Sequence, residues 1–147
     1  MFRKMQIPTC ASLLVLLAGL SLSACEYPTI PAAMGAVAGT YIATELSVTE
    51  NGARRDLLAD GVSIQINLQA DGATTGVFHF PAQGGKPAYD VDLTGTWAVT
   101  GSDGKYTVTF NQPNADTFLR DTAFTLNGHR LEGLYGALRA VLQKKVG

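Results

Sequence analysis

The sequence predicts an all-β fold, an eight-stranded antiparallel up-and-down β-barrel set behind an N-terminal targeting segment. Three observations predict it. Apolar and polar residues alternate with a period of two through most of the chain after Gly39. Turn-forming dipeptides recur at Asp71-Gly72, Asp103-Gly104 and Asn127-Gly128. No stretch beyond Cys25 sustains a helical period.

The chain begins with a basic end, Arg3 and Lys4, and an apolar run from Ala11 to Leu22. The run is shorter than the roughly 20 residues a membrane-spanning helix needs. It therefore reads as a secretory signal segment. The residues that follow, Leu22-Ser23-Ala24-Cys25, resemble the lipobox of bacterial lipoproteins. That resemblance implies a signal peptide over residues 1–24 and a lipidated Cys25, carrying acyl chains such as palmitate, as the first mature residue. The other reading is an ordinary signal peptide with a chance cysteine. Where Glu26 stands, an aspartate in similar lipoproteins favours the inner membrane. The implied location is the cell envelope, and the outer membrane where the source has two. Residues 25–38 hold Pro28 and Pro31 without periodicity and are expected as the lipidated cysteine and a tether. Fully extended, such a tether reaches about 40 Å. The barrel domain is expected over residues 39–147.

Without residues 1–24 the chain keeps 123 of its 147 residues, enough for one domain with its own core. The formal charge of −1 becomes −3 once Arg3 and Lys4 are gone, which argues against nucleic acid as a partner. Cys10 leaves with the signal segment and Cys25 is consumed by the lipid. The domain then has no thiol for a disulfide, a zinc site or a nucleophile.

Eight strands are expected at about 40–49, 62–70, 73–80, 89–100, 105–111, 117–126, 129–135 and 138–144. Val62, Ile64, Ile66 and Leu68 alternate with Ser63, Gln65, Asn67 and Gln69, which gives one dry face and one wet face. The same alternation runs through Tyr89–Val99 and Tyr106–Phe110. In a meander, successive turns fall at opposite ends. The three tight turns are the second, fourth and sixth, so they share one end. The long connections 50–61, 81–88 and 111–116 share the other, with a short one near Gly136. Eight strands can close into a barrel whose interior is filled or holds one small ligand. A two-sheet sandwich of the same strands is the alternative.

Gly39-Thr40-Tyr41 opens the first strand where lipocalins place Gly-X-Trp, and Arg139 lies on the last strand where they carry a basic residue across that aromatic. With the eight-strand meander and its long first loop, the domain resembles the lipocalin-like fold of the calycin group over residues 39–144. Leu93–Trp97 and Ala70–Gly76 also resemble stretches of the avidins. The chain has one tryptophan and lacks the aromatic box that biotin binding would need, so that activity is not carried over.

Parity places Val48, Val62, Phe80, Tyr89, Phe110, Phe118, Tyr135 and Leu138 on the dry face nearest the long loops. An apolar rim suits a lipid, a fatty acid or another small hydrophobic molecule. The same side chains could instead meet in the middle and fill the barrel. Arg120 shares parity with Phe118 and Phe124. Inward, it could pair with a ligand carboxylate. Turned out by a bulge near 119–121, it would meet Asp121 or Asp116. Leu57-Leu58 in the first long loop is expected as a lid or a plug over the mouth. His79 is expected on the outer surface, His129 belongs to no metal spacing, and Asp90 and Asp92 read as a solvated face. No nucleophile–base pattern, phosphate loop or metal cluster appears, so no enzyme activity, cofactor or metal is expected.

The expected function is a lipid-anchored envelope protein whose barrel binds a small hydrophobic ligand. Its partners would be the membrane, through the lipid, and that ligand. The alternative is a filled barrel acting as a structural or protein-interaction module. Oligomeric state is left open.

Overall fold

The computed structural model describes residues 30–114 and 117–147. The alternating runs form strands, as sequence parity expects. In chain order they are β1 (Gly39–Glu50), β2 (Ala53–Asp56), β3 (Ser63–Leu68), β4 (Ala73–Phe80), β5 (Tyr89–Asp92), β6 (Gly95–Ser102), β7 (Lys105–Asn111), β8 (Phe124–Asn127), β9 (Arg130–Tyr135) and β10 (Leu138–Lys144). Helices α1 (Ile30–Val37) and α2 (Thr117–Asp121) complete the described elements.

All pairings are antiparallel, and β10 pairs back onto β1, so the sheet closes. Ten strands occupy eight positions around the barrel. β3 pairs the first half of β1 and β2 pairs its last residues, so the two lie end to end along one neighbour. β5 and β6 likewise share β4, along Val77–Phe80 and Ala73–Thr74. The expected single strand 89–100 is thus bent at Leu93-Thr94. Thr94 makes the bend: its hydroxyl and amide both donate to Asp92 Oδ1, at 2.7 and 2.8 Å. Those bonds, the hydroxyl's first, hold the Asp92 carboxyl below the usual range.

The first strand carries a bulge that parity alone does not see. Pairing with β10 jumps between Ala43 and Glu45. Tyr41 before the jump and Leu46 after it are both buried in the core despite their opposite parity.

The three tight turns all follow strands that run toward the end where β1 begins. They differ in kind. Asp103 and Gly104 both have positive φ, 54° and 76°, as a two-residue primed turn requires. At the other two, only Gly72 and Gly128 do.

Two helices close the ends of the barrel, and both correct the sequence reading. Residues 30–37, expected within an extended tether, form α1 across the closed end. Ala33 and Val37 are buried in the barrel core. Met34 reaches the Asp71-Gly72 turn, where a Cβ on Gly72 would lie 3.2 Å from its Cε. Trp97 holds the same corner: its indole Nε1 donates to Gln69 O at 2.8 Å and its amide to Gly72 O at 2.9 Å. The preceding part of the expected tether, with Cys25 and the signal segment, lies outside the described residues.

The second correction is α2. Residues 117–126 were expected as one strand; Thr117–Asp121 is instead a helical turn and β8 spans Phe124–Asn127. Phe118 and Leu119 are adjacent and both buried, which a strand with one dry face does not allow and a helix does. α2 stands where β8 is too short to continue the wall, because β8 pairs β7 only over Tyr106–Val108.

Tyr41 sits fully buried above α1 and donates its hydroxyl to Val37 O at 2.7 Å. Burial pushes its phenol up to about 12. The folded state then holds the proton more tightly than the unfolded chain, whose tyrosines titrate near 10. Stability from this group is complete below pH 10 and is lost as pH rises toward 12. Urea titrations across pH 9–12 should show a decline of about 2–3 kcal/mol from this group. Tyr41→Phe should flatten that decline, while costing about 1 kcal/mol at neutral pH for the lost hydrogen bond. An unchanged alkaline slope in the variant would assign the decline to other groups.

Candidate functional site

The inward residues of the lower barrel meet one another. Tyr41, Ile64, Ile66, Leu68, Trp97, Val108, Leu131 and Leu142 belong to one continuous core cluster. The open end is then covered from two sides. Leu57 and Leu58 fold back from β2 and pack on the core, held by Leu57 N–H to Leu46 O and Val62 N–H to Leu57 O. They act as a plug. On the opposite side Phe118 of α2 meets Phe124 and Tyr135 edge-to-face, with centroids 6.0 and 6.5 Å apart.

The expected rim residues separate into three groups. Phe110 and Phe118 are buried and share Phe124 as their centre, with Tyr135 41% exposed at the margin. Val48 and Leu138 are half-buried cross-strand partners. Val62, Phe80 and Tyr89 come together around what remains open. They line a cleft of about 170 Å³ with Pro81, Gln83, Lys86 and Pro87.

The floor of this cleft is a stack of rings. Phe78 and Phe80 point to one face of β4 and stack at 4.3 Å. Phe80 and Tyr89 are cross-strand partners and stack at 4.8 Å with 11° between their planes. Tyr89 ends the stack and is 54% exposed. The lip is a small hairpin: Gln83 and Lys86 exchange two backbone hydrogen bonds, at 3.0 and 3.1 Å. Gly84 and Gly85 between them have φ of 59° and 80°, the left-handed pair such a turn needs. Pro81 and Pro87 bracket it. The parity argument missed Gln83, Lys86 and both prolines, because it ranks only strand residues. The signal that could have found them is Gly84-Gly85 itself, a two-residue hairpin dipeptide inside what read as a loop.

Other expectations resolve as follows. Arg120 is exposed and turned outward, with its Nε donating to Asp121 Oδ1 at 3.1 Å, so it does not reach into the barrel. A helical turn, rather than a bulge, turns it out. Arg139 does not meet Tyr41. It lies six residues along the barrel, paired with Ser47 in register, and donates to Glu45 at 2.9 Å on the outer face. Lys144 is the register partner of Tyr41, and its Nζ reaches Ala36 O at 3.1 Å at the end of α1. His79 is on the outer face, as expected, and its Nδ1 lies 2.6 Å from Asp90 Oδ1. Asp90 and Asp92 therefore serve different partners.

The larger depressions lie outside the barrel. One of about 320 Å³ runs over Ser63, Gln65, Gly76 and Val77. Two of about 490 and 440 Å³ flank Leu134 and Arg139. Among the described residues no three carboxylate, imidazole or thiol groups converge as a metal site, and no helix is long and apolar enough to cross a membrane.

A closed eight-position meander, whose connection between the first two barrel positions folds back over one mouth, matches what comparison with known families returns. The family model described as Lipocalin-like domain matches residues 37–133. No curated protein and no solved structure matches the chain. The family match begins at Val37, where α1 meets the barrel, and ends on β9, so it spans most of the closed sheet. The chain belongs to the lipocalin-like domain family.

Proposed function

We propose that this protein is a lipid-anchored cell-envelope lipoprotein whose barrel takes a small hydrophobic ligand at the rim of its open end. The lipocalin-like barrel is suited to binding a small apolar molecule. The observation that carries the finer reading is the cleft of Val62, Phe80 and Tyr89. Among the described residues it opens beside the mouth that α2 and the Leu57-Leu58 plug cover, and it ends in an exposed aromatic face. Pre-formed aromatic clefts with a few polar groups at the lip are the usual form of a small-molecule site.

Anchoring rests on the sequence Leu22-Ser23-Ala24-Cys25. Cys25→Ala should move the protein from the membrane fraction to the soluble one and abolish incorporation of labelled palmitate. Retention of both would remove the anchor from the proposal. For the ligand, the measurement is uptake of an apolar fluorescent dye, with mass spectrometry of co-purified lipid. Tyr89→Ala should weaken dye binding about five- to tenfold, because it removes the exposed ring of the stack. A protein that takes up neither dye nor lipid sinks this reading.

The second reading, a protein-interaction module, is favoured by a different observation. The core side chains fill the lower barrel, and the larger depressions face outward. An empty protein with an intact fold would support it.

A further inference from the structure

We propose that the rim cleft selects a single planar ring bearing an acidic group, the class of monocyclic aromatic carboxylates. This rests on the reading of the rim as a ligand site and narrows it. Size is the first argument. The cleft measures about 170 Å³. A cavity of roughly 150 Å³ lined by apolar side chains accepts benzene, whereas drug-sized ligands occupy pockets of at least about 300 Å³. One ring matches that volume.

Shape is the second. Phe78, Phe80 and Tyr89 form a continuous stack, and the last interval is nearly parallel, with 11° between planes. Tyr89 is only half covered, so the stack ends in a free aromatic surface beside the cleft. A further ring laid there continues an offset stack, the arrangement aromatic faces prefer. An aliphatic chain gains no such alignment.

Charge is the third. Among the described residues Lys86 is the one charged residue that lines the cleft, and no acidic residue lines it. The nearest carboxylate on the adjoining strand, Asp90, is engaged by His79 on the outer face of the sheet. Lys86 is not carried on a loose loop. Its backbone is locked to Gln83 by two hydrogen bonds across the Gly84-Gly85 turn, between two prolines. The hairpin thus sets the ammonium-bearing Lys86 and the amide-bearing Gln83 in the lining of the cleft that Phe80 and Tyr89 share. Those are donors for a carboxylate attached to a ring that the floor holds.

The test is titration of the purified full-length protein with benzoate, benzyl alcohol and an apolar fluorescent dye. Binding is read by calorimetry and by amide chemical-shift changes. Benzoate should bind about two- to fivefold more tightly than benzyl alcohol, the margin a half-exposed ion pair supplies. The changes should centre on residues 80–89. High salt should erase the margin, as should Lys86→Gln, and Lys86→Arg should restore it. Tyr89→Ala should weaken both ring ligands. If benzyl alcohol binds as well as benzoate, the acidic group is wrong and the rim site stands. If the dye binds at residues 80–89 while neither ring compound does, the one-ring class is overturned and the rim site stands. If nothing binds there, or benzoate shifts map to the outer clefts beside Leu134, the proposal falls together with the rim reading.

Discussion

Phe124→Ala is expected to remove about 3–5 kcal/mol of stability, the usual cost of deleting a fully buried aromatic ring. Against a total of about 5–15 kcal/mol for a domain of this kind, that leaves the fold marginal. Phe124 is wholly buried at the start of β8. Phe110 of β7 and Phe118 of α2 both meet its ring edge-to-face, with centroids 5.3 and 6.0 Å away. The wall is incomplete at this place, because β8 is short and α2 fills the gap. Loss of the ring should therefore free α2 before the barrel opens. In urea the midpoint should fall with little change in slope. Amide exchange across residues 117–121 should accelerate more than exchange in β3 or β10. A loss below about 1 kcal/mol would show that α2 is held by something else. Gly133 supplies an internal check. A Cβ there would lie 2.6 Å from Phe124 Cε1 and 2.8 Å from Thr122 Cγ2. Gly133→Ala should cost about 1–3 kcal/mol in the native protein. It should cost less in the Phe124→Ala background, where half of that obstruction is gone.

Thr74→Val should cost about 2–4 kcal/mol, although it exchanges side chains of almost equal size. The Thr74 hydroxyl is buried and does two things at once. It donates to Leu93 O at 2.9 Å and accepts from Gln112 Nε2 at 2.7 Å. Leu93 is the residue at which β5 gives way to β6, so the hydroxyl ties the bend to β4. Removing it strands a buried amide donor and a buried carbonyl in a medium where neither finds water. Gln112 already carries one such cost, since its Oε1 has no hydrogen-bond partner among the described residues. Gln112→Leu alone should thus be nearly neutral, within about 1 kcal/mol, because Thr74 keeps its bond to Leu93. In the Thr74→Val background the same change should recover about 1–2 kcal/mol. The double-mutant cycle decides the matter: additive losses would mean that the amide is not stranded.

The alternation of Val62–Leu68, Tyr89–Val99 and Tyr106–Phe110 was enough to place strands and their dry faces. The order of turn dipeptides was enough to place the tight corners at one end. Val62, Phe80 and Tyr89 were legible as rim residues for the same reason, since parity and distance from a long loop are local properties. What failed was anything that depends on what a segment packs against. Phe118, Phe124 and Leu126 share one strand parity, yet the chain needed a helical stopper before β8 begins, and a helix buries the neighbours Phe118 and Leu119 that a strand would split. Residues 30–37 show no strong period, yet an open barrel base gave Ala33 and Val37 a place to be buried, and tertiary burial overrides weak local preference. The bulge after Ala43 puts Leu46 beside Tyr41 in the core, against parity.

By itself the sequence determined the all-β class of the fold, the eight positions of its meander, and the end at which the tight corners gather. Those follow from period, count and order along the chain, which need no third dimension. The tertiary structure alone decided that the sheet closes, how much of the mouth stays open, which way Arg120 turns, and that Lys86 lines one cleft with Phe80 and Tyr89. Each of those is set by side chains far apart in sequence competing for one volume, and no local pattern records the outcome.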